Sequence, residues 1–213
     1  MIDDHITIDD ILDPISSETF FKEYWGKKHL VIERVKYMDL FNFHDMESYI
    51  NQYPYVKTLQ VVDYDGYGTR WCFEKHRDMG QPFLNKKAIA DLWNKGKTIV
   101  IPLAEYQNKK LVDLCYTFEQ YFGIGTANIY ASPCKGSKCF NEKPETIIDE
   151  FVLKGGDFLY IPTGQYHKTE CNSARLLCSI HFPNKKNQSL NKFIITSQES
   201  NNRDEWVTIS PET

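Results

Sequence analysis

Apolar side chains recur at helical spacing in several stretches of the first 122 residues. Asp13-Pro14 and Ser16-Ser17 offer cap and first-turn residues for an early helix. An aromatic stripe at positions i, i+1, i+4 and i+5 follows them, so the segment predicts a helix that ends at Gly26; the stripe is Phe20, Phe21, Tyr24 and Trp25. Further helices are predicted at residues 45–53, 86–95 and 109–122. Asn85 is the expected N-cap of the helix at 86–95.

Short apolar and β-branched runs, the pattern of β-strands, dominate the second half of the chain. Two earlier runs, at residues 56–64 and 69–75, flank the turn Asp65-Gly66-Tyr67-Gly68, which is typical of a β-hairpin. The other predicted strands are residues 28–34, 97–103, 127–132, 147–153, 158–162, 166–171 and 174–182. Because helices come first and closely spaced strands last, this order predicts an α+β fold whose strands form a sandwich or barrel.

Charge and hydropathy exclude several classes of protein. The 213 residues carry a formal net charge of −4 without a visible basic patch, so we expect neither nucleic acid nor an anionic membrane as a partner. The longest apolar runs, such as residues 98–103, are far shorter than the roughly 20 residues of a membrane-spanning helix. Six cysteines at irregular positions indicate reduced thiols, and these features together favour a cytoplasmic location.

The segment at residues 153–167 is the most informative for function. Its glycines and Asp157 predict a tight turn into a five-residue apolar strand, and residues 162–164 predict a second turn, which delivers His167 onto the next strand. This arrangement places an imidazole at the mouth of a barrel. From the pattern alone, His167 is either a hydrogen-bonded structural residue or a ligand.

Five segments follow one another in a characteristic order, namely FFKEYWGKKHLVIER, GKTIVIP, NIYASPCKGS, GGDFLYIPTGQYH and CSIHF. In order and spacing they resemble the landmarks of the JmjC-type cupin family, which includes the ribosomal-protein hydroxylases, over about residues 8–183. The resemblance implies an Fe(II)- and 2-oxoglutarate-dependent oxygenase that hydroxylates a protein, peptide or small-molecule side chain. It also implies that His167 is the distal metal-binding histidine of that family.

The same resemblance implies the domain organisation. We expect an α+β domain at residues 1–186 whose core is a double-stranded β-helix, also called a jelly roll or cupin fold, with the N-terminal helices packed outside. Residues 1–55 form a helical and strand annex, and residues 56–186 form the jelly roll. Residues 187–213 are interpreted as a C-terminal tail with a short helix near residues 190–195. The oligomeric state stays open.

The chain departs from the family where the iron ligands are expected. A His-x-Asp pair should follow residues 136–140 almost at once, but Asn141-Glu142-Lys143-Pro144-Glu145 stands there, and no histidine occurs between His76 and His167. The eleven residues 141–151 hold one strand rather than two. The central jelly roll is therefore shortened, or a segment between Phe140 and Asn141 is missing. We expect a chain break there or a strand edge covered by another segment.

The remaining candidate site residues follow from strand alternation and from the family. Alternation places Ser179 and His181 on one face of the strand 174–182, where both could face the barrel interior near His167. Asn128 and Tyr130 match positions that line the cosubstrate pocket of the family. The expected cofactor-binding residues are therefore Asn128, Tyr130, Ser179 and His181. A buried, purely structural role for His181 stays open.

For the other candidate metal ligands, a purely structural role is the alternative. The carboxylates nearest to His167 in the sequence are either metal ligands or parts of a solvated, turn-rich edge of the fold. They are Glu142, Glu145, Asp149 and Glu150. Cysteines at a C-x4-C spacing and beyond are either zinc ligands or small buried apolar residues, and they are Cys134, Cys139, Cys171 and Cys178. Two functions remain: an oxygenase using Fe(II) and 2-oxoglutarate, or a catalytically inactive cupin-like module that binds a peptide or small acid without cofactors.

Overall fold

Five α-helices and twelve β-strands make up the part of the chain that the structure describes. The computed structural model describes residues 6–33, 40–52, 59–63, 68–71, 73–75, 82–139, 147–183, 190–196 and 205–210. The helices are α1 (Ile8–Leu12), α2 (Ser17–Glu23), α3 (Phe43–Gln52), α4 (Lys86–Asn94) and α5 (Lys109–Phe122). The strands are β1 (Leu30–Ile32), β2 (Gln60–Asp63), β3 (Gly68–Trp71), β4 (Phe73–Lys75), β5 (Pro82–Leu84), β6 (Thr98–Ile101), β7 (Thr126–Cys139), β8 (Asp149–Leu153), β9 (Phe158–Ile161), β10 (Tyr166–Pro183), β11 (Leu190–Thr196) and β12 (Glu205–Ser210).

Side-chain caps define where the helices begin. Ser16 caps α2 and Asn85 caps α4, each accepting a hydrogen bond from the backbone N–H three residues further on, as the sequence predicted. Helix α1 was not predicted. It is held by a capping box, in which the Thr7 hydroxyl accepts from the Asp10 N–H while the Asp10 carboxylate accepts from the Thr7 N–H.

Ten of the described strands form one large antiparallel sheet, and β4 and β5 pair with each other in a separate two-stranded sheet. The order of the large sheet is β1-β9-β11-β10-β7-β6-β2-β3, and β12 joins it by pairing with both β10 and β8. Strands β2 and β3 pair from Gln60↔Trp71 to Asp63↔Gly68, which confirms the predicted hairpin over these residues. Residues 73–75, predicted as part of its second arm, instead form β4 and pair with β5. Residues 64–67, which contain most of the hairpin turn, lie outside the described residues.

The long ribbon of β7 and β10 curves strongly. Its register is unbroken from Lys168↔Cys139 to His181↔Thr126. A straight strand would separate Thr169 from Arg175, six residues on, by about 20 Å, yet the Arg175 Nη1 donates to the Thr169 Oγ1 at 3.2 Å. The ribbon therefore bends so that its halves face each other. One half of β10 pairs with β12 and the other half pairs with β11.

Strand alternation separates two apolar cores. The outer core lies between the sheet and the helices, and it includes Phe20 of α2, Phe118 of α5 and Phe193 of β11, all fully buried. The inner core lies within the curve of the ribbon and consists of Val100, Tyr130, Leu153, Leu159, Ile161, Leu177, Ile194 and Ile209. Leu177 belongs to the inner core and its neighbours on β10 belong to the outer core, as alternation predicted.

Two predictions about the later strands were wrong. The apolar run near residues 190–195 is not a helix but the strand β11, with Phe193 in the outer core and Ile194 in the inner core. A run buried on both faces shows no period of two, so its pattern does not distinguish helix from strand. Strand β10 also runs unbroken through residue 172, where two strands had been predicted.

The architecture confirms the predicted α+β class, with the strands curved into a barrel and helices packed on its outer face. Strand β12 lies between β8 and β10 and pairs with both, so it covers the edge that each would otherwise present there. The expected break between Phe140 and Asn141 falls at residues 140–146, outside the described residues. None of the helices described by the structure is long and apolar enough to cross a bilayer.

Candidate functional site

The tight turn after β9 sets the position of His167. The Gln165 N–H donates to the Pro162 carbonyl at 3.3 Å, and Gly164 adopts a positive φ of 90°, which favours glycine. His167 is then the second residue of β10 and pairs across the strands with Ile209 of the inner core. Because directly opposed residues share a face, the half-buried His167 side chain faces the barrel interior.

Lys192 of β11 contacts His167 directly. Its Nζ lies 3.2 Å from His167 Nε2, although 25 residues separate the two along the chain. Burial lowers the pKa of Lys192 to about 8, which leaves the amine mostly protonated at pH 7. An ammonium group can only donate, so the Nε2 lone pair of His167 accepts this hydrogen bond. Lys192 was not among the predicted site residues, because its segment was predicted to be a helix.

Ser179 and His181 lie on the same interior face. The Ser179 Oγ is 2.9 Å from the His181 Nε2, and His181 is the cross-strand partner of Lys192. Ser179 is buried, whereas His181 and Lys192 keep partial exposure to solvent. The structure thus brings both residues to the strand pair that carries Lys192.

Asn128 lies beside this group and Tyr130 lies deeper. Asn128 of β7 is the cross-strand partner of Ser179, and its Oδ1 accepts from the Leu103 N–H at 3.4 Å. Leu103 has a left-handed backbone with φ 55°, which is unusual for a β-carbon-bearing residue. Tyr130 pairs with Leu177 and is part of the inner core. We refer to Asn128, His167, Ser179, His181 and Lys192 as the interior polar cluster.

A second polar group surrounds Arg175 further along the ribbon. The Arg175 Nη1 donates to the Thr169 Oγ1 at 3.2 Å, and its Nε donates to the Ser132 Oγ at 3.4 Å. Ser132 also shares a 2.7 Å hydrogen bond with Thr98. All four side chains are buried. This guanidinium, which no motif in the sequence indicated, adds a second positive charge to the interior.

The candidate carboxylate ligands do not join the interior polar cluster in the described part of the chain. Asp149 Oδ2 instead lies 3.0 Å from His29 Nε2, and Glu150 is exposed on β8. Glu142 and Glu145 fall in residues 140–146, outside the described residues. The described side chains contain no group of three His, Cys, Asp or Glu residues placed to hold a metal ion.

The zinc alternative receives no support from Cys178. Its thiol is free and buried in the outer core, away from the interior face, and burial raises its pKa well above the ordinary value. Such a thiol behaves as a small apolar residue. The side chains of Cys134, Cys139 and Cys171 are outside the described part of the structure.

The described donors do not fit the Fe(II) that the family resemblance implies. The Nε2 lone pair of His167, which would bind the metal, accepts from the Lys192 ammonium. A divalent ion bound to this lone pair would have to occupy the space that the Lys192 ammonium holds, and the two positive charges would repel each other. Metal and protonated lysine therefore compete for the same position.

Comparison with known proteins identifies a domain around this site. Residues 126–190 match the family model described as JmjC domain, a span that includes β7 to β10 and His167. This match agrees with the predicted jelly-roll core.

The chain is also similar to larger curated proteins. It is 28% identical over 184 residues to the bifunctional lysine-specific demethylase and histidyl-hydroxylase NO66 of Branchiostoma floridae, covering 74% of this chain and 29% of that protein. It is 28% identical over 215 residues to ribosomal oxygenase 2 of Rattus norvegicus, covering 80% of this chain and 45% of that protein. The chain thus spans less than half the length of these relatives.

Proposed function

We propose that this chain, whose residues 126–190 match the JmjC domain model, uses the barrel interior to bind a peptide or small-molecule ligand, and that it does so without iron-dependent hydroxylation. The proposal rests on the 3.2 Å contact between the Lys192 Nζ and the His167 Nε2. A working iron site needs three ligands with free lone pairs and an ordered surrounding shell. A histidine that accepts from an ammonium group supplies none of these lone pairs.

The sequence supports the same conclusion independently. No His-x-Asp pair follows residues 136–140, where the family resemblance places two of the three iron ligands. The half-buried His167, His181 and Lys192 remain accessible from solvent, so a ligand can approach the interior polar cluster. The relatives are named for a lysine-specific demethylase, a histidyl-hydroxylase and a ribosomal oxygenase, which favours a protein side chain as the ligand of this chain.

An oxygenase is the second candidate, and the register of β7 favours it. Cys139 pairs with Lys168, next to His167, so the chain leaves β7 beside the candidate ligand. Glu142 and Glu145 follow within six residues of Cys139. A carboxylate from this segment that displaced Lys192 would supply a further ligand, and Fe(II) and 2-oxoglutarate would then be the cofactors. We prefer the binding module, because the contact between Lys192 and His167 on which it rests lies among the described residues.

Metal content and 2-oxoglutarate consumption distinguish the two candidates. The purified chain is incubated anaerobically with Fe(II), desalted and analysed for iron, and 2-oxoglutarate turnover is followed by NMR. We expect much less than one iron per chain and no conversion to succinate. Stoichiometric iron with turnover, both lost in His167→Ala, would establish the oxygenase and refute the binding module. Lys154→Met, which changes an exposed lysine outside the cluster, is the matched control.

A further inference from the structure

We infer that the exposed side of α5 is an interface for a second copy of this chain, and that the two α5 helices pair antiparallel across a two-fold axis. This inference is independent of the proposed function, because it concerns the outer surface of the molecule and not the barrel interior. The two can therefore fail separately.

Exposed apolar side chains are concentrated around α5. Of the eight large apolar residues that are exposed in the described part of the chain, six lie from residue 103 to residue 124. Two of them, Val112 and Tyr116, belong to α5 itself and are 46% and 54% exposed. They are four residues apart, so they lie side by side on the helix surface. Single exposed apolar residues are ordinary, whereas a concentration of them marks an interaction surface.

The face of α5 that carries this apolar pair also carries a charge near each end. Lys109 lies three residues before Val112. Glu119, which is partly exposed, lies three residues after Tyr116. Helical spacing places these four residues, which we call the α5 stripe, along one side of the helix. The opposite side of α5 packs in the outer core.

The order of charges along the α5 stripe suits a second copy in the antiparallel direction. Residues 109 and 119 are equally distant from residue 114, as are residues 112 and 116. A two-fold axis at residue 114 therefore sets Lys109 of each copy opposite Glu119 of the other. The same axis sets Val112 opposite Tyr116 between these charges. A parallel pair would instead set like charges opposite each other, which is unfavourable.

The ion pair that Lys109 forms within α5 is compatible with this contact. Its Nζ lies 2.6 Å from the Asp113 Oδ2, four residues further on. The Lys109 side chain nevertheless stays 85% exposed, so a carboxylate of a second copy can approach the same ammonium. Glu119 of the other copy would then extend the existing pair into a small charge network.

The expected dimer is weak. Helix α5 has 14 residues and is about 21 Å long. A contact along one helix of this length buries less than the roughly 1,200 Å² at the lower limit of stable interfaces. The dimer should therefore form at high protein concentration and dissociate on dilution.

Sedimentation equilibrium of the full chain from micromolar to millimolar concentration tests the interface. We expect the average mass to rise from the 25.0 kDa of one chain toward twice that value and no further, because an isologous interface closes at two copies. Tyr116→Ala should weaken the dimer about tenfold. Tyr121→Ala, at a similarly exposed tyrosine on another face of α5, is the matched control and should leave the dimer unchanged. A constant monomer mass, growth beyond two copies, or equal effects of the two substitutions would overturn the inference.

Charge exchange tests the antiparallel direction. Glu119→Lys sets two lysines opposite each other at each end of the helix pair, so it should weaken the dimer several-fold. Adding Lys109→Glu restores opposite charges across the two-fold axis and should restore dimerisation to the wild-type level. Within one chain the two positions are ten residues apart, about 15 Å along the helix, so this rescue reports a contact between copies. A double variant that dimerises no more tightly than Glu119→Lys would overturn the inference.

Discussion

Tyr160 connects three elements through one hydroxyl group. This fully buried side chain of β9 accepts from the Gly26 N–H at 2.9 Å, just beyond α2, and donates to the Asn191 Oδ1 of β11 at 3.0 Å. Burial raises the pKa of the Tyr160 phenol to about 12. The hydroxyl thus fixes the annex to the barrel while its ring packs in the outer core.

Removing this hydroxyl should destabilise the protein without changing the packing of the ring. Tyr160→Phe leaves the Gly26 N–H and the Asn191 Oδ1 without this partner, so we expect a loss of about 1–3 kcal/mol in the free energy of unfolding, measured by urea denaturation. Tyr106→Phe, at a residue that is 75% exposed, should change it by less than about 0.5 kcal/mol. Equal effects of both substitutions would contradict this role.

The raised pKa of Tyr160 predicts a pH dependence of stability that Tyr160→Phe should lack. The pKa of Tyr160 is raised in the folded state, so its contribution to stability is present below pH 10 and is lost as the pH rises from 10 to 12. The free energy of unfolding of wild type should therefore fall more steeply over this range than that of Tyr160→Phe. Parallel curves for the two proteins would contradict the raised pKa.

At the scale of elements, β11 contributes to both cores at once. Its Phe193 stacks on Phe118 of α5 with ring centroids 4.6 Å apart and lies 5.2 Å from the Tyr160 ring, all in the outer core. The next residue, Ile194, belongs to the inner core. A strand with one side chain in each core joins the helices to the barrel interior, and it also carries Lys192 into the site.

Truncating Phe193 should therefore be costly. Phe193→Ala leaves a cavity between α5 and the sheet, for which we expect a loss of about 3–5 kcal/mol in the free energy of unfolding, measured by urea denaturation. Tyr121→Ala, at an aromatic residue of α5 that is half exposed, is the matched control and should cost much less. A loss below about 1 kcal/mol for Phe193→Ala would contradict the assignment of β11 to the sheet.

At the scale of the whole molecule, β12 completes the layer that faces β11. It pairs with β10 from Tyr166↔Ser210 to Cys171↔Glu205 and with β8 along its other edge. Ile209 of this strand is fully buried in the inner core. Without β12, two strand edges and an apolar interior would be open to solvent, which favours association between chains.

Truncation tests this role of β12. A chain ending after Thr196 should self-associate with increasing concentration, as measured by light scattering after size-exclusion chromatography, because the uncovered edges of β8 and β10 pair with other chains. A chain ending after Ser210 retains the strand and should behave as the full chain does. A truncation after Thr196 that matches the full chain in mass and thermal stability would contradict the importance of β12.

Local signals in the sequence determined much of this protein. The N-caps Ser16 and Asn85 depend on contacts within three residues, so they could be read directly from the chain. Alternation likewise determined which face of β10 carries Ser179 and His181, because successive side chains of any strand point to opposite sides. The motif order indicated the JmjC family, which the match to residues 126–190 confirms.

The chemistry around His167 was decided by tertiary structure alone. Lys192 reaches His167 only because the ribbon of β7 and β10 bends and β11 joins the sheet beside it, and no short-range pattern records a contact across 25 residues. The apolar run of β11 suits either a helix or a strand, and burial on both faces decided between them. The sequence therefore identified the histidine, whereas the fold supplied the charge beside it.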